Sequence, residues 1–104
     1  MYYIYMLRCE DNSIYTGITT DVEHRMKEHF NKVNCAKYTY VHTAKKLEAV
    51  WQTETRVLAS KLEYRIKKLT KAKKEELINE NNLEELLCEK LEVSQYERLE
   101  CDYF

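Results

Sequence analysis

Proline is absent from the sequence and glycine occurs once, at Gly17, which leaves few hard breakpoints and no Gly/Ser-rich linker. There is no internal repeat. The four cysteines, Cys9, Cys35, Cys88 and Cys101, stand far apart without a C-x-x-C pair. That spacing suits neither a zinc site nor a dense disulfide framework and is read as four reduced thiols. No apolar run approaches the roughly 18 residues of a membrane span, and Met1 leads directly into strand-like residues rather than a basic leader. The expectation is a cytoplasmic protein without membrane contact. At 104 residues and 44% hydrophobic content the chain can build one core but not two.

The near-zero net charge of −1 conceals an asymmetry. Met1 to Glu75 carries 15 basic residues against 9 acidic ones, whereas Glu76 to Phe104 carries 2 against 9. The first part can offer a basic face to phosphate and the second cannot. The division expected is a domain over residues 1–75 followed by an acidic helical extension over 76–104.

Tyr2 to Cys9 and Ser13 to Thr19 are rich in Tyr, Ile and Thr and flank the polar cluster Glu10-Asp11-Asn12, the pattern of an antiparallel hairpin. Thr20 followed by Glu23 resembles a capping box, so a helix is expected to start there and to run to about Asn31. Asn31 to Lys45 reads as a loop with a short extended piece, and Leu47 to Thr53 as a third strand. Leu58, Leu62, Ile66 and Leu69 repeat at helical spacing. A further short helix is expected over Lys71 to Ile78, and Leu83, Leu86, Leu87 and Leu91 support an amphipathic one. The fold class is α/β (α+β): a three-stranded antiparallel sheet flanked by helices, ββαβα, with a C-terminal helical extension.

Alternation along the strands lets Tyr5, Tyr15 and Gly17 share a face across the hairpin. A glycine inside a strand marks a bulge, tight packing against a helix, or a gap that a ligand or another backbone approaches. On the first helix Val22, Met26 and Phe30 define the buried stripe, with Arg25 about 60° off Val22 and His29 near the stripe's centre. Arg25 can present its planar fork to a phosphate or pair with Asp21 or Glu28. His29 suits a packed core position or a site. Glu63 lies on the rim of the second stripe, where it can bind a hard cation or pair with Lys67.

Taken in order, Tyr3-Ile4-Tyr5, Tyr15-Thr16-Gly17, Asp21-x-x-x-Arg25-x-x-x-His29 and a distal helical Glu63 resemble the GIY-YIG nuclease superfamily over about Met1 to Lys74, and in particular its small single-domain bacterial branch. The resemblance implies catalytic roles for Tyr5, Tyr15, Arg25, His29 and Glu63. One of the tyrosines helps deprotonate the attacking water, Arg25 stabilises phosphate charge, and Glu63 binds one Mg²⁺ or Mn²⁺. It also implies an endonuclease acting on nucleic acid, DNA first, with a protein partner as a possible source of specificity. Two departures stand out: Tyr3 replaces the glycine of the family's first triplet, and Tyr40-Val41-His42-Thr43 replaces an Arg/Gly-rich stretch after Ala36-Lys37-Tyr38-Thr39. Candidate nucleic-acid contacts are Lys37 and Tyr38, and Arg65, Lys67 and Lys68 in the densest basic run. Tyr38 fits loop packing as well, and the basic run fits a solvated helical face. The rival function is a noncatalytic nucleic-acid- or protein-binding module that retains the fold.

Overall fold

A computed structural model describes the backbone of residues 1–104 and every side chain except that of Tyr103. The hairpin forms as its alternation dictates, with β1 (Tyr2–Cys9) antiparallel to β2 (Ile14–Thr19). The register sets Tyr5 opposite Gly17 and Leu7 opposite Tyr15. After α1 (Val22–Asn31) and α2 (Lys37–Val41), strand β3 (Ala44–Thr53) pairs with the other edge of β1. Then follow α3 (Arg56–Lys68), α4 (Lys71–Glu80), α5 (Leu83–Leu87) and β4 (Glu97–Leu99).

The sheet therefore has four strands in the order β2-β1-β3-β4, not three. The extra strand is only Glu97-Arg98-Leu99, too short to display an alternation that sequence reading can detect. Its place is fixed by packing instead: Arg98 lies 5.0 Å over the Trp51 ring and donates to the Leu77 and Ile78 carbonyls at the end of α4.

Helices cover both faces, as the strand alternation requires. Ile4, Met6, Ile14, Ala49 and Trp51 face α3, α4 and α5 through Ala59, Leu62, Ile66, Leu77, Leu83 and Leu87. Tyr5, Leu7 and Val50 face α1 through Val22 and Met26. Leu83, Leu87 and Leu91 thus belong to the main core, although they lie in the acidic part of the sequence. Arg8 clamps α4 to the sheet: its guanidinium meets Glu75 through both carboxylate oxygens, at 2.5 and 2.6 Å, and Glu48 of β3 at 2.8 Å. The bonds from Arg8, with a further one from Lys71, hold the Glu75 carboxyl down to about 2.

Three local expectations need correction. The N-cap of α1 is Asp21, whose carboxylate accepts from the His24 N–H at 3.1 Å, while Glu23 pairs with Lys27 at 3.6 Å rather than closing a capping box on Thr20. Phe30 is 44% exposed, and the stripe runs instead through Val22, Met26 and His29, the i, i+4, i+7 series. The segment expected as a loop with an extended piece holds the short helix α2, whose buried Thr39 binds the Ala36 carbonyl at 3.1 Å. Local propensity is weak for Tyr-Thr-Tyr-Val, so tertiary contact decides its form.

Candidate active site

The site begins with the single glycine. No register shift interrupts the β1–β2 pairing at Gly17, so it is not a bulge. A side chain there would place its Cβ 2.5 Å from the Tyr5 hydroxyl oxygen, 2.7 Å from Tyr5 Cζ and 3.0 Å from Tyr15 Cε2. The missing Cβ is what lets the Tyr5 ring lie across β2 and reach α1. Tyr5 is 1% exposed, yet its phenol oxygen sits 2.7 Å from His29 Nε2.

Proton positions follow from the rest of that chain. The Thr39 hydroxyl has one hydrogen and donates it to the Ala36 carbonyl. Its oxygen, 2.7 Å from His29 Nδ1, then accepts from the ring, which makes His29 the Nδ1–H tautomer. The remaining nitrogen, Nε2, is a lone-pair acceptor for the Tyr5 O–H. Burial, reinforced by the Arg25 charge, holds the His29 pKa down to about 4, so the imidazole is neutral near pH 7. Burial pushes the Tyr5 phenol above its ordinary range against the opposing pull of Arg25. The pair rests with its proton on Tyr5.

Around this pair the predicted residues gather unequally. Tyr15 lies 6.1 Å from the Tyr5 ring and 5.4 Å from that of His29, and it stacks on Tyr38 at 5.7 Å. Tyr38 in turn stacks on His42 at 4.3 Å, and His42 meets Asp11 at the hairpin turn. Tyr38 therefore packs on the site's wall with a 37% exposed edge, and Lys37 beside it is exposed. Arg25 occupies the rim. Its Nη1 meets Glu28 at 3.1 Å and the Asn34 carbonyl at 2.8 Å, and the guanidinium also lies within hydrogen-bonding reach of the Tyr5 phenol. Glu63 projects from α3 within electrostatic reach of Tyr5 and pairs with Lys67 at 3.4 Å. Arg65 and Lys68 turn elsewhere, to the Tyr64 ring at 5.3 and 5.2 Å.

Could the carboxylate hold a cation? Glu63 keeps a 24% exposed side chain, and its partner is an exposed lysine that a divalent ion can displace. No cluster of three or more His, Cys, Asp or Glu exists among the described residues. A single carboxylate is enough for Mg²⁺, whose other positions go to waters and substrate phosphate oxygens, so the donor set fits.

Sequence reading missed Thr39 and the Asn34 carbonyl, which orient His29 and Arg25. Both lie in the segment between α1 and β3, where no periodicity links them to the residues they serve. The one available signal for Thr39 was its place as the last residue of the Ala36-Lys37-Tyr38-Thr39 motif.

Residues 1–76 match the family described as the GIY-YIG catalytic domain. The UPF0213 protein FN1575 of Fusobacterium nucleatum is 49% identical over 78 residues, covering 75% of this chain and 77% of that one. The UPF0213 protein YhbQ of Salmonella typhimurium is 41% identical over 91 residues, covering 88% of this chain and 90% of its own. The solution NMR structure of the UPF0213 protein BH0048 from Bacillus halodurans superposes with a TM-score of 0.50 at 41% identity, covering 76% of this chain and 84% of that one. With a matched domain that spans the hairpin, α1 and α3 and so includes every residue of the site, the chain belongs to the GIY-YIG nuclease superfamily.

Proposed function

We propose that this protein is a divalent-metal-dependent endonuclease that hydrolyses phosphodiester bonds of nucleic acid, DNA first. The observation that carries the reading is the buried Tyr5–His29–Thr39 chain, which places a neutral imidazole acceptor behind a phenol whose ring fills the space over Gly17. Any buried tyrosine hydroxyl finds an acceptor; here the acceptor is a neutral imidazole oriented by a second hydrogen bond, with Arg25 and Glu63 within electrostatic reach of the same phenol.

In the reaction, the Tyr5 proton passes to His29 Nε2 as the phenol oxygen takes a proton from the attacking water. The resulting hydroxide adds to phosphorus and the P–O bond to the leaving oxygen breaks. That oxygen takes its proton from solvent. The imidazolium formed on His29 keeps its Nδ1–H on Thr39, so the ring does not turn during transfer. Arg25, at the rim beside the Tyr5 phenol, offers its guanidinium to the equatorial phosphate oxygens, where a planar fork stabilises charge that grows in the transition state. Glu63 would hold the Mg²⁺ or Mn²⁺, which supplies positive charge to the phosphate and the leaving oxygen. Members of the superfamily generally use a divalent metal.

The noncatalytic reading draws on two contacts: Lys67 lies on Glu63, and Glu28 shares Arg25. A cleavage panel separates the two. Single-stranded, duplex and branched DNA and RNA are incubated with Mg²⁺, Mn²⁺ or chelator. Cleavage of at least one substrate that chelator abolishes supports the nuclease; binding without cleavage of any of them supports the module.

A further inference from the structure

The exposed side of α3, opposite its buried stripe, carries a groove of about 520 Å³. Its walls are Arg56, Lys61, Arg65 and Lys90 with the apolar surfaces of Val57 and Tyr64 between them. No carboxylate lines it. By contrast, the concavity over the start of α1 is lined by Asp21, Glu23, Glu97 and Glu100. The four groove cations form no salt bridge among the described residues, whereas Lys67, Lys71 and Lys73 of the neighbouring basic run are neutralised by Glu63, Glu75 and Glu76. Unpaired positive charge has therefore collected in one place, and Lys90 joins it from the otherwise acidic end of the sequence.

Val57 and Tyr64 are 64% and 50% exposed. Arg65 and Lys68 lie 5.3 and 5.2 Å over the Tyr64 ring, contacts that a stacking base would share or displace, and exposed apolar side chains among cations suit a ligand that is both anionic and aromatic. We infer that this groove binds an unpaired nucleic-acid strand, its phosphates on Arg56, Lys61, Arg65 and Lys90 and a base against Tyr64. Duplex presents phosphate without base faces, so it satisfies the cations and leaves the aromatic unused. From Arg56 to Arg65 the helix rises about 13 Å, room for a short run of phosphates. Tyr64 stands about 100° around α3 from Glu63, with Lys67 between the two directions, so a strand lying in the groove passes over Lys67 to the carboxylate. The inference rests on the nucleic-acid reading above but not on its catalytic half.

Binding of a fluorescent single-stranded oligonucleotide, and of its duplex, is measured by anisotropy in chelator, so that cleavage plays no part. Tyr64→Ala should weaken single-strand binding about tenfold, Tyr64→Phe should not, and duplex binding should hardly change. Lys61→Gln with Arg65→Gln should flatten the salt dependence, lowering the slope of log K against log salt by roughly 1.4 for two lost phosphate contacts. All the substituted side chains are on the helix surface, and circular dichroism with thermal midpoints verifies the fold. Unchanged affinity and slope would overturn the inference, as would a Tyr64→Ala loss that is equal on single strand and duplex. Displacement of the oligonucleotide by poly-aspartate, charge for charge and regardless of Tyr64, would also overturn it, marking a surface for acidic protein. If the nuclease reading alone is wrong, these binding losses persist while no substrate is cleaved. If the groove alone is wrong, the variants bind and cleave as the native chain does.

Discussion

Replacing Gly17 with alanine tests the geometry on which the site depends. The new methyl would lie 2.5 Å from the Tyr5 oxygen and 2.7 Å from Cζ, both inside contact distance. The ring has no free direction, since it is buried and its oxygen is tied to His29. Overpacking of this kind costs ~1–3 kcal/mol, and loss of the Tyr5–His29 bond adds about 1 kcal/mol. Reduced freedom of the unfolded chain returns ~0.5–1 kcal/mol to Gly17→Ala. The net expectation is a loss of about 2 kcal/mol, or about 10 °C in thermal midpoint for a domain of this size. Trp51, the sole tryptophan and 1% exposed, reports urea unfolding by fluorescence. In the Gly17→Ala background, Tyr5→Phe removes the nearest atom and should recover roughly 1 kcal/mol, a favourable coupling in a double-mutant cycle. A Gly17→Ala protein as stable as the parent would refute the close approach of Tyr5 and with it the proton chain.

Other consequences can be checked separately. Arg25→Lys should keep nucleic-acid affinity within severalfold while lowering turnover strongly, because charge survives and the fork does not; unchanged turnover would leave Arg25 as a helix ion pair with Glu28. The folded-state pKa of His29 is depressed to about 4 from an unfolded value near 6.5, so its contribution to stability is present above pH 6.5 and is lost as pH falls toward 4. The loss amounts to about 3 kcal/mol, measurable as a pH-dependent unfolding midpoint that His29→Gln flattens, and the acid limb of kcat/KM should lie near 4 rather than 6.5. Thr39→Val should orphan the His29 Nδ1–H at a cost of ~1–3 kcal/mol and reduce turnover, whereas Thr39→Ser restores both. Neutralising Glu84, Glu85, Glu89 and Glu92 to Gln should change nucleic-acid affinity by no more than a few-fold, since exposed charges are screened. Deletion from Asn82 onward should instead unfold the chain, because Leu83, Leu87 and Leu91 leave the main core and each such loss costs ~2–5 kcal/mol.

Strand alternation and helical stripes made the hairpin, α1, β3 and α3 legible in the sequence, along with the convergence of Tyr5 and Tyr15 beside Gly17. Those features are periodic and local. What escaped was decided by partners distant in sequence. Phe30 looked apolar enough for the core and is exposed, while His29, near the stripe's centre by spacing, is buried with both ring nitrogens satisfied by Tyr5 and Thr39, partners that spacing does not reveal. The short helix α2 and the three-residue β4 have no period of their own and are held by Thr39 and Arg98. Charge counting registered the basic run but could not sort it. Helix pairing neutralises Lys67, Lys71 and Lys73, and the open cations lie one face away, joined by Lys90 from a segment whose composition is acidic.

The most direct test is single-turnover cleavage by Glu63→Gln at saturating substrate, with binding and circular dichroism followed in parallel. The glutamine keeps the side chain's size on a half-buried rim position, so fold and affinity should stay within a few-fold while metal-dependent cleavage falls by roughly a thousandfold or more. Cleavage at the native rate by a folded, substrate-bound Glu63→Gln protein would contradict the assignment of this site as a metal-dependent nuclease centre.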